Sequence, residues 1–150
     1  MTIYIGADHR GVNLKERLKR ILLDEAYDVV DVGAAQLVSD DDYPDFAAAV
    51  GAKVSAAPLE ARGIVICGSG FGADIVANKF DGVRSALAMS PDHAYQGRHD
   101  DDVNVLALAA DFIEETMAIK TMKVFLTTPF AKEERYTRRL EKIGKIELGN

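Results

Sequence analysis

Apolar residues recur along the chain with two periods, and the two alternate. Short β-rich runs stand at Ile3-Tyr4-Ile5, Asp28–Val32, Gly63–Cys67, Ser85–Met89 and Val103–Leu108. Between them the spacing turns helical: Leu14, Leu18, Ile21 and Leu22, then Phe46, Val50 and Val54, then Ile75, Val76 and Lys79-Phe80. Tyr43-Pro44-Asp45 opens one of these helices, since proline is tolerated in a first turn. Pro91–Arg98 reads as a short helix, and Phe112–Leu126 and Ala131–Ile143 as two closing ones. The 63–67 run is apolar on both faces, as in a central parallel strand. Five β/α repeats predict an α/β fold: a Rossmann-like three-layer sandwich with a five-stranded parallel sheet and right-handed crossovers. A single domain over residues 1–150 is expected, with 147–150 as a loose tail. Ligands of such sheets bind beyond the carboxyl ends of the strands, near the switch point of strand order.

Composition narrows the class. Of 150 residues, 48% are hydrophobic and 28% charged, which excludes a mainly disordered chain. No apolar run approaches the ~20 residues of a membrane span, and no basic stretch leads into an apolar segment, so a cytoplasmic protein without membrane contact is expected. The single cysteine, Cys67, excludes an internal disulfide and a multi-cysteine zinc site. Lys and Arg number 18 against 24 Asp and Glu, a net charge of −6, which argues against a nucleic-acid partner. The charge is uneven. Asp40-Asp41-Asp42 and Asp100-Asp101-Asp102 are acidic knots, whereas Lys132–Lys145 is rich in Lys and Arg. A local basic surface fits either a small anion or a solvated helix face.

Three polar clusters attach to strand ends. Gly6-Ala-Asp8-His9-Arg-Gly11 follows the first strand, Cys67-Gly68-Ser69-Gly70-Phe-Gly72 the third, and Arg98–Asn104 lies near the fifth. They are expected to converge on one edge of the sheet. The glycine loop is neither a P-loop, since no Gly-Lys-Ser/Thr follows, nor a Gly-x-Gly-x-x-Gly turn. It reads as an anion nest whose N–H groups approach a ligand closely. Cys67, facing that loop, suits a thiolate acting as nucleophile or as base. His9 is placed for a functional role and His93 is not. Arg135 and Arg139, four apart, share a helix face and suit phosphate.

Together these residues resemble the ribose-5-phosphate isomerase B / galactose-6-phosphate isomerase family. The resemblance rests on Gly6–Gly11, Asp42-Tyr43-Pro44, Cys67–Gly72, Ala77-Asn-Lys79, Asn104-Val-Leu106, and Arg135 with Arg139, in family order over roughly residues 3–143. It implies a homodimer or dimer of dimers with sites at the subunit interface, no metal and no organic cofactor. It also implies an aldose–ketose isomerase of a sugar phosphate acting through a cis-enediolate. Ribose 5-phosphate and ribulose 5-phosphate, of the pentose phosphate pathway, are the expected pair. By the same resemblance Cys67 is the base, Ser69 shuttles protons between oxygens, and Gly68, Gly70 and Gly72 hold the enediolate. Asp8, Tyr43 and Asn104 contact hydroxyls, and His9, Arg135 and Arg139 bind phosphate. Some relatives carry a glutamate base at the position of Ala73; this chain matches the cysteine type.

Two positions depart from the pattern. The ring-opening histidine of relatives stands four residues before the asparagine matched to Asn104. Here Asp100 occupies that place and His99 is one residue earlier, so both are candidates, with the register favouring Asp100. Relatives also carry an arginine where this chain has Asp111. Asp111 keeps open a different sugar, hexose phosphate or unphosphorylated. The altered ring-opening position keeps open a sugar-binding homologue without turnover.

Overall fold

A computed structural model describes residues 1–33 and 38–149. The chain runs β1 (Thr2–Ala7), α1 (Val12–Asp24), β2 (Asp28–Asp31), α2 (Tyr43–Ser55), β3 (Ala61–Cys67), α3 (Phe71–Ala77), β4 (Ser85–Leu87), α4 (Pro91–Asp101), β5 (Val105–Ala109), α5 (Glu115–Thr127) and α6 (Glu134–Glu147). All strand pairs are parallel, in the order β2-β1-β3-β5-β4. Cys67 pairs with Ala109 and Ile66 with Ala7, so the carboxyl ends of β1, β3 and β5 lie level on one edge.

The sheet is buried on both faces because its strands alternate between two apolar sets. Ile3, Ile5, Ile64, Ile66, Leu106 and Leu108 pack with Leu18 and Leu22 of α1, Ala94 of α4, and Met122 and Phe125 of α5. Val65, Cys67, Val105 and Ala107 pack the other way, with Val50 and Val54 of α2 and Ala73 and Ala77 of α3. This is the expected three-layer fold. The order reverses between β1 and β3, where the chain builds outward in opposite directions. The turns after those two strands therefore flank the crevice in which doubly wound sheets bind ligands.

Several boundaries differ from the sequence pattern, and four bear on the site. α3 stops at Ala77, leaving Lys79 and Phe80 outside it, because the Asn78 side chain turns to β4. It accepts the Ser85 N–H at 2.8 Å and donates to the Ser85 carbonyl at 2.9 Å. β4 ends at Leu87, before Met89. α4 ends on Asp102 in a left-handed conformation (φ 47°), and Val103 and Asn104 precede β5 rather than opening it. α6 continues through Glu147, whose carboxylate accepts the Gly82 N–H at 3.1 Å. Glu147 thus belongs to the helix rather than to a tail; Asn150 lies outside the described residues.

Candidate active site at the carboxyl edge

The turn after β1 is shaped by Asp8. Its Oδ1 accepts the N–H groups of Arg10 and Gly11, both at 3.0 Å, which holds the turn closed as α1 begins. His9 is thereby presented toward Asp41, in the stretch before α2. Asp41 Oδ1 accepts the His9 backbone N–H at 2.9 Å and meets its Nδ1 at 2.7 Å. That bond holds the His9 imidazole above its usual pKa of 6.5, against burial, with help from the charges of Asp41 and Asp8 and opposed by Arg10. A proton kept on Nδ1 leaves Nε2 to face a ligand. Asp41 was legible only as part of an acidic knot; its pairing with His9 was not.

The loop after β3 is a close-packed strand-to-helix turn. Cys67 is buried, and its carbonyl accepts the Ala110 N–H at 2.9 Å. The Gly68 carbonyl accepts the Asp111 N–H at 3.0 Å, which fixes the loop to the end of β5. Gly70 is left-handed (φ 77°), and a Cβ there would stand 2.5 Å from Leu87 Cδ1. At Gly72 a Cβ would stand 2.5 Å from the Tyr43 ring, so the bare backbone lets Tyr43 lie against the loop. Ser69 borders an apolar cleft of about 280 Å³ with Phe71, Leu87, Met89, Ala109 and Phe112. Cys67, the three glycines, Asp8, His9 and Tyr43 thus gather at the carboxyl ends of β1 and β3, while Ser69 opens toward β5 and β4.

The departure at Asp111 has a partner in the same crevice. Its carboxylate forms an ion pair with the Arg10 guanidinium directly above Gly68. The acidic charge is therefore matched within the chain.

The remaining candidates are elsewhere, which corrects the expectation of three converging clusters. Residues 98–104 precede β5, so they sit at the amino edge of a parallel sheet; the order of strand and cluster in the sequence already implied it. Asn104 is fully buried. Its side chain accepts the Arg84 N–H at 2.7 Å and donates to the carbonyls of Gly82 and Pro58 at 2.8 and 3.3 Å. It brackets three segments instead of facing a sugar. Arg98 is likewise used internally, on Asp102 at 2.7 Å and the Val103 carbonyl at 2.6 Å.

His99 and Asp100 join α6 in a second polar group. His99 Nδ1 lies 2.6 Å from Asp100 Oδ1, and its ring stacks on Tyr95 and meets Tyr136 edge-on, with centroids 5.1 and 5.9 Å apart. The bond to His99, aided by the Tyr136 hydroxyl, holds the Asp100 carboxyl below its usual pKa. Burial and then Asp100 push the Tyr136 hydroxyl up. The Arg135 and Arg139 guanidinium carbons lie 4.6 and 5.7 Å from the Tyr136 ring centroid. One aromatic ring thus gathers both arginines and the histidine, an arrangement suited to Arg, whose planar fork stacks on aromatic faces. This group and the Cys67 loop lie at opposite edges, separated by the seven residues of β3, or roughly 20 Å at strand rise.

A doubly wound α/β sheet with a thiol, a glycine loop and a paired histidine at its switch point defines a small-molecule enzyme class rather than a nucleotide-fingerprint protein. The chain belongs to the ribose/galactose isomerase family, whose model matches residues 3–143. A probable ribose-5-phosphate isomerase B of Mycoplasma genitalium is 39% identical over 145 residues, covering 97% of this chain and 95% of the relative. Ribose-5-phosphate isomerase B of Mycobacterium tuberculosis is 35% identical over 147 residues, covering 98% and 90%. The crystal structure of the Mycoplasma genitalium enzyme with bound ribulose-5-phosphate superposes with a TM-score of 0.96 at 38% identity, covering 99% of this chain and 97% of that one. A ribose-5-phosphate isomerase B structure from Clostridium thermocellum gives 0.94 at 37%, covering 99% of each.

Proposed function

We propose that this chain is a cytoplasmic ribose-5-phosphate isomerase that interconverts ribose 5-phosphate and ribulose 5-phosphate with Cys67 as the base. The observation that carries the reading is the place of Cys67: at the end of β3, against the glycine loop, in the crevice that His9 and Tyr43 flank. The likeness to ribose-5-phosphate isomerases over nearly the whole chain selects this substrate over a hexose phosphate.

In the forward direction the Cys67 thiolate takes the proton from C2 of the open-chain aldose. The electron pair moves to form the C1–C2 double bond of an enediolate, whose negative oxygen the N–H groups around Gly68, Gly70 and Gly72 stabilise. Ser69 passes a proton from O2 to O1. Cys67 then returns its proton to C1 and the ketose forms. Asp8 and Tyr43 orient hydroxyls, and His9 donates to the phosphate.

The roles of His99, Asp100, Arg135 and Arg139 need a second copy of the chain. Some 20 Å of sheet separates them from the Cys67 of their own chain, more than a five-carbon sugar phosphate spans. A homodimer in which the α4–α6 group of one protomer faces the carboxyl edge of the other completes the site. Exposed Phe71, Phe112, Ile75 and Met89 beside the glycine loop supply an apolar surface for that contact. His99 is then the ring-opening acid and base. Asp100, held as a carboxylate, is a poor acid, and it orients the imidazole by accepting from Nδ1.

The test is ketose formation across a panel of pentose and hexose phosphates, with the oligomeric state measured by light scattering. Turnover of ribose 5-phosphate by a dimer or tetramer is expected. A monomer, or turnover confined to hexose phosphates, would overturn the reading. Asp100→Ala and His99→Ala are expected to slow turnover of cyclic substrate, the histidine change more.

A further inference from the structure

Among the described residues, Arg10 is the one guanidinium at the carboxyl edge for which neither the fold nor the reaction above gives a use. Its backbone N–H is locked onto Asp8 Oδ1, so its direction is set by the same turn that presents His9. Its head lies flat on the glycine loop: Nε and Cζ both stand 2.5 Å from where a Cβ on Gly68 would be. Asp111 holds it there through one terminal nitrogen, and Asp111 is itself fixed by its N–H bond to the Gly68 carbonyl. The Arg10 side chain remains 57% exposed. An ion pair this exposed stabilises a fold little, yet three elements cooperate to place it one residue from Cys67. A guanidinium carries five N–H donors in a fixed fork, and a single bond to Asp111 leaves most of them for another oxyanion.

We propose that Arg10 binds the phosphate group of the substrate and that Asp111 is its positioning residue, standing behind the guanidinium rather than against the anion. The proposal deepens the sugar-phosphate reading and rests on it. His9 and Arg10, consecutive in one turn, then form a cationic pair on the same protomer as Cys67. The negative charge of Asp111 becomes part of the device: it aims Arg10 across the loop, and only a residue without a side chain at position 68 leaves room for the guanidinium.

Steady-state kinetics with ribose 5-phosphate and inhibition by inorganic phosphate test it. Arg10→Ala is expected to raise both KM and the phosphate inhibition constant roughly ten- to hundredfold, the worth of a hydrogen bond to a charged group, with kcat changed far less. Asp111→Asn should raise both by a smaller factor. Exchanging the charges, Arg10→Asp with Asp111→Arg, should recover much of what either single reversal loses, which a merely structural pair would not show in KM. Unchanged KM and phosphate inhibition in Arg10→Ala at wild-type melting temperature overturns the proposal. So does an equal loss of kcat on unphosphorylated ribose, which places the guanidinium at the carbonyl end. If the wild-type protein does not isomerise ribose 5-phosphate, the functional reading fails. Calorimetric titration of wild type and Arg10→Ala with inorganic phosphate then still decides the role of Arg10. Should Arg10→Ala not fold, Arg10→Lys keeps the charge and loses the fork; weaker phosphate binding supports the proposal and equal binding overturns it.

Discussion

The two edges of the sheet carry polar clusters of similar composition and very different construction. At the carboxyl edge the functional groups stand on turns, and backbone geometry positions them: Asp8 closes one turn, and glycines at 68, 70 and 72 let Arg10, Leu87 and Tyr43 approach. At the amino edge His99, Asp100, Arg135 and Arg139 stand on two helices and are gathered by the Tyr136 ring. A carbon acid needs donors fixed where charge develops, and turns with bare backbone supply them. Reach and charge come from long side chains, on helices at the amino edge and on the His9–Arg10 turn at the carboxyl edge. On the proposed reading each edge supplies half of an isomerase site, completed by a second copy of the chain.

The largest effect that separates the halves is expected at Cys67. Cys67→Ala should keep the fold, by circular dichroism, and lose about 10²–10⁴ in turnover, the worth of a general base. Ordinary activity in that variant would remove the carboxyl edge from the chemistry. Next comes the amino edge. Arg135→Ala and Arg139→Ala should each weaken substrate binding by roughly 1.5–3 kcal/mol, read as KM or by calorimetry. The two variants also sharpen the comparison when combined. Mixing Cys67→Ala with the Arg135→Ala/Arg139→Ala double variant and allowing subunit exchange should restore about a quarter of wild-type activity, because half the dimers then hold one intact site. No recovery, with exchange verified by mass, would mean that each site belongs to one chain.

Asn104 offers a contrast within the amino edge. As a buried bracket, Asn104→Ala should cost about 1–3 kcal/mol of stability by stripping the Arg84 N–H and the Gly82 carbonyl of their partner, with KM unchanged in the folded protein. A rise in KM without loss of stability would return it to the sugar.

The smallest effect is in pH dependence. The folded His9 has a raised pKa, so the His9–Asp41 pair stabilises fully below the unfolded value near 6.5 and fades as pH rises through the folded value. Asp41→Asn should lower the His9 pKa, followed by its imidazole carbon shifts in NMR, and move the alkaline limb of substrate binding to lower pH. An unmoved titration would show that Asp41 does not govern His9.

Much of this was legible in the chain because local patterns carry it. Alternation of apolar periods marked five strands and six helices, and Cys67 with its glycine loop and the turn at Asp8 and His9 were readable as strand-end chemistry. Residues 98–104 stand beside a strand in sequence but ahead of it, so the parallel sheet carries them to the amino edge. Asn104 is the instructive miss, since an asparagine beside a functional histidine looks the same in sequence whether it faces a ligand or brackets Gly82 and Arg84. His99 against Asp100 also resisted a register argument. Both join one group and share a bond of 2.6 Å, so neither is placed apart from the other.

The sequence by itself determined the order of elements, the three-layer class and which polar residues follow β1 and β3, because periodicity and turn chemistry act over a few residues. The tertiary structure alone decided the strand order β2-β1-β3-β5-β4, the pairing of His9 with Asp41, the capture of Arg10 by Asp111 and the placement of two polar groups on opposite edges. Those contacts join residues far apart in the chain, 32 positions for the first pair and 101 for the second. No local preference encodes them. They follow only once the packing of both faces has fixed which strand lies beside which.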